Sequence, residues 1–160
     1  MKKIYITLLI ILLSTSSLST SAELSLPEVS GELASTSGYQ FLMLEHNLLQ
    51  GLKQDPDSLS TFNKLYLESN REALNNWIAS AISQLDALEH YSSSTVWGVP
   101  IPIAIKYSRM RLADIQREIA RIHNGDTSDI HSASIRTYMS ELKVQEDFWK
   151  KLLRLLNKIA

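Results

Sequence analysis

The chain carries four histidines and no cysteine. Metal or nucleophile chemistry would therefore have to come from imidazoles, carboxylates and hydroxyls. The densest such set is His123-Asn124-Gly125-Asp126-Thr127-Ser128-Asp129-Ile130-His131, which gathers two imidazoles and two carboxylates. Zinc or a similar ion uses donors of this kind, and His123, His131 and Asp126 are the candidate ligands. Their spacing matches no established metal motif, and the neighbouring residues have cheaper structural tasks: Gly125 stops a helix and Thr127 caps the next. The expectation is no bound metal and no cofactor. His46 and His90 each follow a glutamate, Glu45 and Glu89. Adjacent residues point about 100° apart on a helix, so neither pair can chelate. The Glu-x-x-His spacing of di-iron bundles is absent from the sequence.

Other catalytic patterns are equally sparse. No Gly-x-Ser-x-Gly elbow occurs, and five glycines in 160 residues supply no phosphate-cradling loop. The lack of cysteine removes thiol catalysis, covalent c-type haem attachment and cysteine-ligated zinc. No Ser/His/Asp set is singled out by spacing. The sequence names no catalytic residue, and an enzyme of unknown reaction is the last of three readings.

Recognition chemistry is better represented. Residues 92–102 form a linker in which Pro100 and Pro102 exclude a helix interior, yet Val96, Trp97, Val99 and Ile101 are apolar. Such a segment either folds down as a lid or stays exposed as a binding surface. Trp97, Val99 and Ile101 are the candidate partner contacts. Lys106, Arg109, Arg117 and Arg121 fall within an arc of about 120° on one helical side and suit an acidic protein surface. Aromatic residues are not interleaved with these cations, and nucleic acid is not expected. Asn70 and Gln145 sit on the apolar sides of their helices, where a polar group needs a partner. They are the candidate lining of a small ligand pocket.

The elements that must position these residues are helical. In residues 129–159 one heptad track holds Ile135, Leu142, Trp149 and Leu156, and a second holds Tyr138, Gln145, Leu152 and Ile159. This repeat puts all eight on one side of a helix that packs against other helices. Three further helices are expected over residues 38–53, 58–91 and 103–123. The first carries Phe41, Leu44, Leu48 and Leu52, and Pro56 ends it. The second places Leu59, Phe62, Tyr66, Ala73, Trp77, Ala81 and Leu88 on one side. The third carries Ile105, Leu112, Ile115, Ile119 and Ile122, with Asn124-Gly125 as its stop. The fold expected is all-α: an antiparallel four-helix bundle, up-down-up-down, with the apolar proline-containing linker between helices 2 and 3.

Residues 1–22 read as a secretory signal peptide. Lys2 and Lys3 precede a ten-residue apolar core, Ile4 to Leu13, and a small-residue exit at Ala22. Residues 23–37 read as a flexible leader, and residues 38–160 as one helical domain. A chain of this kind acts in the bacterial periplasm, or is secreted, with no transmembrane segment after processing. Its charge is uneven: residues 23–100 hold ten acidic and three basic side chains, and residues 101–160 seven and eleven. The function expected is an exported binding protein acting on a protein partner, such as an inhibitor or immunity protein for an exported toxin or hydrolase; a homo-oligomer is compatible with this. A helical small-molecule or metal-binding sensor domain is the second reading.

Overall fold

The structure is a computed structural model and describes residues 24, 35–88 and 94–160. The segment read as a signal peptide, most of the stretch read as a leader and the expected end of the second helix at Tyr91 lie outside the described residues. Among those described, four helices dominate: α1 (Ser37–Leu52), α2 (Thr61–Leu88), α3 (Ile101–His123) and α4 (Ile135–Ile159). A two-residue antiparallel hairpin, β1 (Thr95–Val96) and β2 (Val99–Pro100), precedes α3. None of these helices is long and apolar enough to cross a membrane.

Local chemistry sets most boundaries. The Thr36 hydroxyl accepts from the Tyr39 amide and caps α1, as a threonine at that position does. Asp55 accepts from the Asp57 amide in the following turn, and the Ser60 hydroxyl accepts from the Asn63 amide to open α2. At the end of α3, Gly125 adopts φ +84°. The Gly125 amide reaches the Ile122 carbonyl and the Asp126 amide reaches that of Arg121, the paired closure that a left-handed glycine permits.

Three expectations need correction. The linker is not uniformly irregular. Trp97-Gly98 forms its turn with φ +52° and +78°, as a two-residue hairpin requires, and Pro102 sits in the first turn of α3, where its missing N–H costs nothing. The last helix starts at Ile135, after a 3-10 turn at Ser132–Ser134. The helix expected over residues 129–159 thus begins six residues later, and Asp129 lies in the loop before it, held by Lys53 and Arg121. Finally, Leu59, Phe62 and Tyr66 do not form a buried side of α2. Phe62 is 75% and Tyr66 49% exposed. Leu67 packs against Gly51, one residue before α1 ends, so residues 61–66 run past their partner helix. The buried line of α2 is instead Asn70, Leu74, Ala81 and Leu85.

The core joins Phe41, Leu48 and Leu49 of α1, Leu74 and Leu85 of α2, Ile115 and Ile122 of α3, and Tyr138, Leu142, Trp149, Leu152 and Leu156 of α4. All eight positions of the two α4 tracks are buried or half-buried, Gln145 included. Leu24, within the stretch read as a leader, is 2% exposed and belongs to this core.

Candidate functional site

The hairpin brings an aromatic cleft together. Tyr39 and Phe41 come from α1, Trp77 from α2, Trp97 from the hairpin turn, Tyr107 from α3 and Trp149 from α4. All three tryptophans of the chain thus line one recess. Phe41 and Trp77 stack at 4.1 Å, and Trp97 leans on Trp77 at 4.9 Å. Gly38 allows the close approach of α1 to the hairpin: a Cβ there would meet Val99 Cγ2 at 3.2 Å. The free volume is about 50 Å³, room for one small apolar side-chain end and far below the roughly 300–1,000 Å³ of small-molecule pockets.

Trp97 is held by three contacts. Its indole Nε1 donates to Gln84 Oε1 at 3.0 Å, its carbonyl accepts from the Ser37 hydroxyl at 3.3 Å, and its ring meets Trp77. It remains only partly buried. A bulky residue with positive φ is uncommon, and such strained positions cluster at functional sites. The other linker candidates behave differently: Val96, Val99 and Ile101 are 2%, 9% and 6% exposed. Three of the four apolar linker residues thus fold inward as a lid, and Trp97 stands at its open edge.

Behind the cleft lies a charge pair that hydropathy did not reveal. Glu45 and Arg111 are 0% and 3% exposed. Arg111 Nε donates to Glu45 Oε2 at 2.6 Å, and the cleft residue Trp149 donates its Nε1–H to Glu45 Oε1, also at 2.6 Å. Further along the same helices is a second charged group. Lys53 donates to Asp129 at 2.6 Å and lies 3.5 Å from Glu118. Arg121 binds Glu118 at 2.7 Å and Asp129 at 2.8 Å, and the Tyr138 hydroxyl donates to Glu118 at 3.0 Å. Burial acts to raise the Asp129 carboxyl, but the hydrogen bonds from Lys53 and Arg121 outweigh it and hold the group below its ordinary range. Burial, with the Glu118 charge beside it, pushes the Tyr138 phenol well above its ordinary value. Hydrogen bonding to Glu118 pushes the Arg121 guanidinium further up still. This cluster holds protein together. It presents no carboxylate and base converging on an open cavity.

The remaining sequence candidates divide. Lys106, Arg109 and Arg117 are exposed on α3. Arg109 reaches Asn157 at 3.5 Å, and Arg117 pairs with Asp114 of its own helix. Arg121 does not share their solvent face, because Glu118, Asp126 and Asp129 engage it internally. Asn70 and Gln145 are 7% and 0% exposed. Gln145 donates to Glu141 at 2.9 Å, while Asn70 Nδ2 and Gln145 Oε1 have no hydrogen-bond partner. His131 is exposed, 3.7 Å from Asp55, and Asp126 faces Arg121. Among the described residues no three histidines or carboxylates are grouped to hold a metal ion.

Sequence reasoning missed Tyr39 and Tyr107 at the cleft and Arg111 behind it. A signal for the last did exist. Ile101, Ser108, Ile115 and Ile122 repeat every seven residues, and Ala104, Arg111 and Glu118 follow three residues on. The charges occupy the second track of the same heptad that buries the isoleucines. Comparison with known protein families, with curated proteins and with solved structures finds no match.

Proposed function

We propose that the protein is an exported binding protein of the bacterial periplasm, which captures a protein partner by seating an apolar side chain of that partner in the aromatic cleft. An inhibitor or immunity protein for an exported toxin or hydrolase is the concrete form. The observation that carries the reading is the convergence of all three tryptophans on one open recess, with Trp97 fixed at its edge on a left-handed backbone. Anchors of this aromatic type dominate protein interfaces. Lys106 lies next to Tyr107 of the cleft and Arg109 two residues further on. Cations there favour and steer a partner with an acidic rim. The helices are proposed to run up-down-up-down. The starts of α1 and α3 share the cleft with Trp77 of α2 and with Trp149 and Leu152 of α4, and the turn after α1 meets the loop before α4 through the His131 amide and Lys53 carbonyl.

A photocrosslinking residue at position 107 tests the proposal in cells. The expected result is one dominant adduct in the envelope fraction, lost with Trp97→Ala and weakened when Lys106 and Arg109 become glutamate. Position 144, exposed at 50% on α4, should give no such adduct. No adduct from position 107, or the same adducts from both positions, refutes the reading. The small-molecule alternative rests on the unpartnered atoms of Asn70 and Gln145. Native mass spectrometry of the purified protein decides it, since a mass equal to the polypeptide counts against a bound ligand.

A further inference from the structure

A second concavity lies where α1 ends and α2 begins, on different residues from the cleft. It is larger, about 290 Å³, at the lower edge of the range for small-molecule sites of roughly 300–1,000 Å³. Asn47, Gln50 and Gln54 face it from α1 and the turn after it, and Asn63 and Tyr66 from α2. Its floor forms where Leu67 closes over Gly51, a contact that a Cβ at Gly51 would break by colliding with the Leu67 side chain.

The chemistry of this lining is selective. It contains four carboxamides and a phenol and no formal charge. An ionic ligand would find no counter-charge. A hydrocarbon would strip water from amides without replacing their hydrogen bonds, which is costly. Each carboxamide offers two donors and one acceptor oxygen in a fixed plane, a set that satisfies groups able to donate and accept at once. Hydroxyls are such groups.

Beside the amides stands a step of two stacked, exposed aromatic rings, of which Tyr66 also lines the groove. The Phe62 and Tyr66 rings are separated by 6.5 Å between centroids and are nearly parallel, 12° apart. Both are well exposed, because residues 61–66 run past the end of α1. An aromatic face carries negative potential and attracts polarised C–H groups. A pyranose ring presents C–H bonds on one face and hydroxyls around its rim, so it can meet the step and the amides together. The geometry points to a saccharide-binding groove that takes a neutral sugar of one or two rings. Tyr66 acts in both parts, as platform and as groove wall. The inference is independent of the partner reading, which concerns other residues.

The test is a titration of the full expressed protein with maltose and, separately, with N,N′-diacetylchitobiose, read by proton–nitrogen correlation spectra. The side-chain amides of Asn47, Gln50, Gln54 and Asn63 should shift along a saturable curve, while the Trp97 indole N–H stays still. Tyr66→Ala should weaken binding about tenfold, as loss of a stacking partner does, and Gly51→Ala should weaken it by displacing Leu67. Response to both sugars assigns recognition to the hydroxyls, and response to diacetylchitobiose alone assigns it to the acetamido group. Three results overturn the proposal. They are no shift with either sugar up to tens of millimolar, shifts unchanged by Tyr66→Ala, or shifts of Phe62 and Leu65 that follow protein concentration without sugar. The last would mark self-association.

Discussion

Replacing Glu45 by alanine should be the most damaging single change in the described chain. Glu45 is fully buried between two donors, Arg111 Nε and Trp149 Nε1, each at 2.6 Å. Removing the carboxylate leaves the buried guanidinium without its counter-charge, which costs about 3–5 kcal/mol. It also removes the acceptor of the Trp149 indole, worth about 1–3 kcal/mol. The two losses overlap, and about 4–6 kcal/mol is expected, a large part of the roughly 5–15 kcal/mol that holds a domain together. The double variant Glu45→Leu/Arg111→Met removes both charges and keeps the volume. It should lie within about 3 kcal/mol of the parent, since apolar replacement of a buried pair is often neutral or better while the Trp149 indole still loses its acceptor. Urea unfolding followed by far-ultraviolet circular dichroism, with linear extrapolation, measures all three proteins. A loss under about 1 kcal/mol for the single change would refute the reasoning. So would a double variant as unstable as the single one.

Other consequences are open to the same assay. Leu24→Ala should cost about 2–5 kcal/mol, as deletion of a buried leucine does, although the residue belongs to a stretch that reads as leader; a neutral result would remove it from the core. Asp129 has a folded-state pKa below its unfolded one. Its stabilising contribution is therefore complete above the ordinary carboxylate value of about 3.9 and is lost as pH falls through the lower folded value. Asp129→Asn should accordingly lower stability near neutrality and flatten the acid limb of the stability–pH curve, and an unchanged limb would refute the Lys53 and Arg121 contacts. Gly98→Ala should destabilise by about 1–2 kcal/mol, the cost of forcing a side chain into the left-handed region, with Thr36 also in its way. Phe62→Ser should change stability by less than about 0.5 kcal/mol, as exposed substitutions do.

The sequence carried α4 almost completely. Its two heptad tracks are apolar at every position but Gln145, and a continuous period of this kind leaves one solution for which side turns inward. The ends of α1 and α3 were equally readable, because Pro56 and Asn124-Gly125 act through local backbone sterics alone. Several of the failures share one cause, dependence on residues outside the local stretch. Arg111 gave no signal of burial on its own, because its partner Glu45 lies 66 residues earlier. Phe62 and Tyr66 looked like core because nothing local states that α1 stops before reaching them. The hairpin was hidden by its prolines, which exclude long strands but not a two-residue one. Of the cleft, Trp97 was legible as a candidate contact, whereas Tyr39 and Tyr107 come together with it only through the packing of separate elements.

The order of the buried charges also bears on how the chain avoids a wrong assembly. Going from the start of α1 to its end one meets an anion and then a cation, Glu45 and Lys53; on α3 the order is reversed, Arg111 and then Glu118. The spacings nearly match, about 12 Å on α1 and about 10.5 Å on α3 at 1.5 Å per residue. With the two helices pointing the same way, both levels neutralise. Inverting either one would set Glu118 against Glu45 and Arg111 against Lys53, and would part Lys53 and Glu118 from the network they share with Asp129 and Arg121. Sliding by one turn would strand both levels together. A chain without crosslinks thus carries, in four side chains, a polarity key that penalises both errors far more than its greasy surfaces alone could.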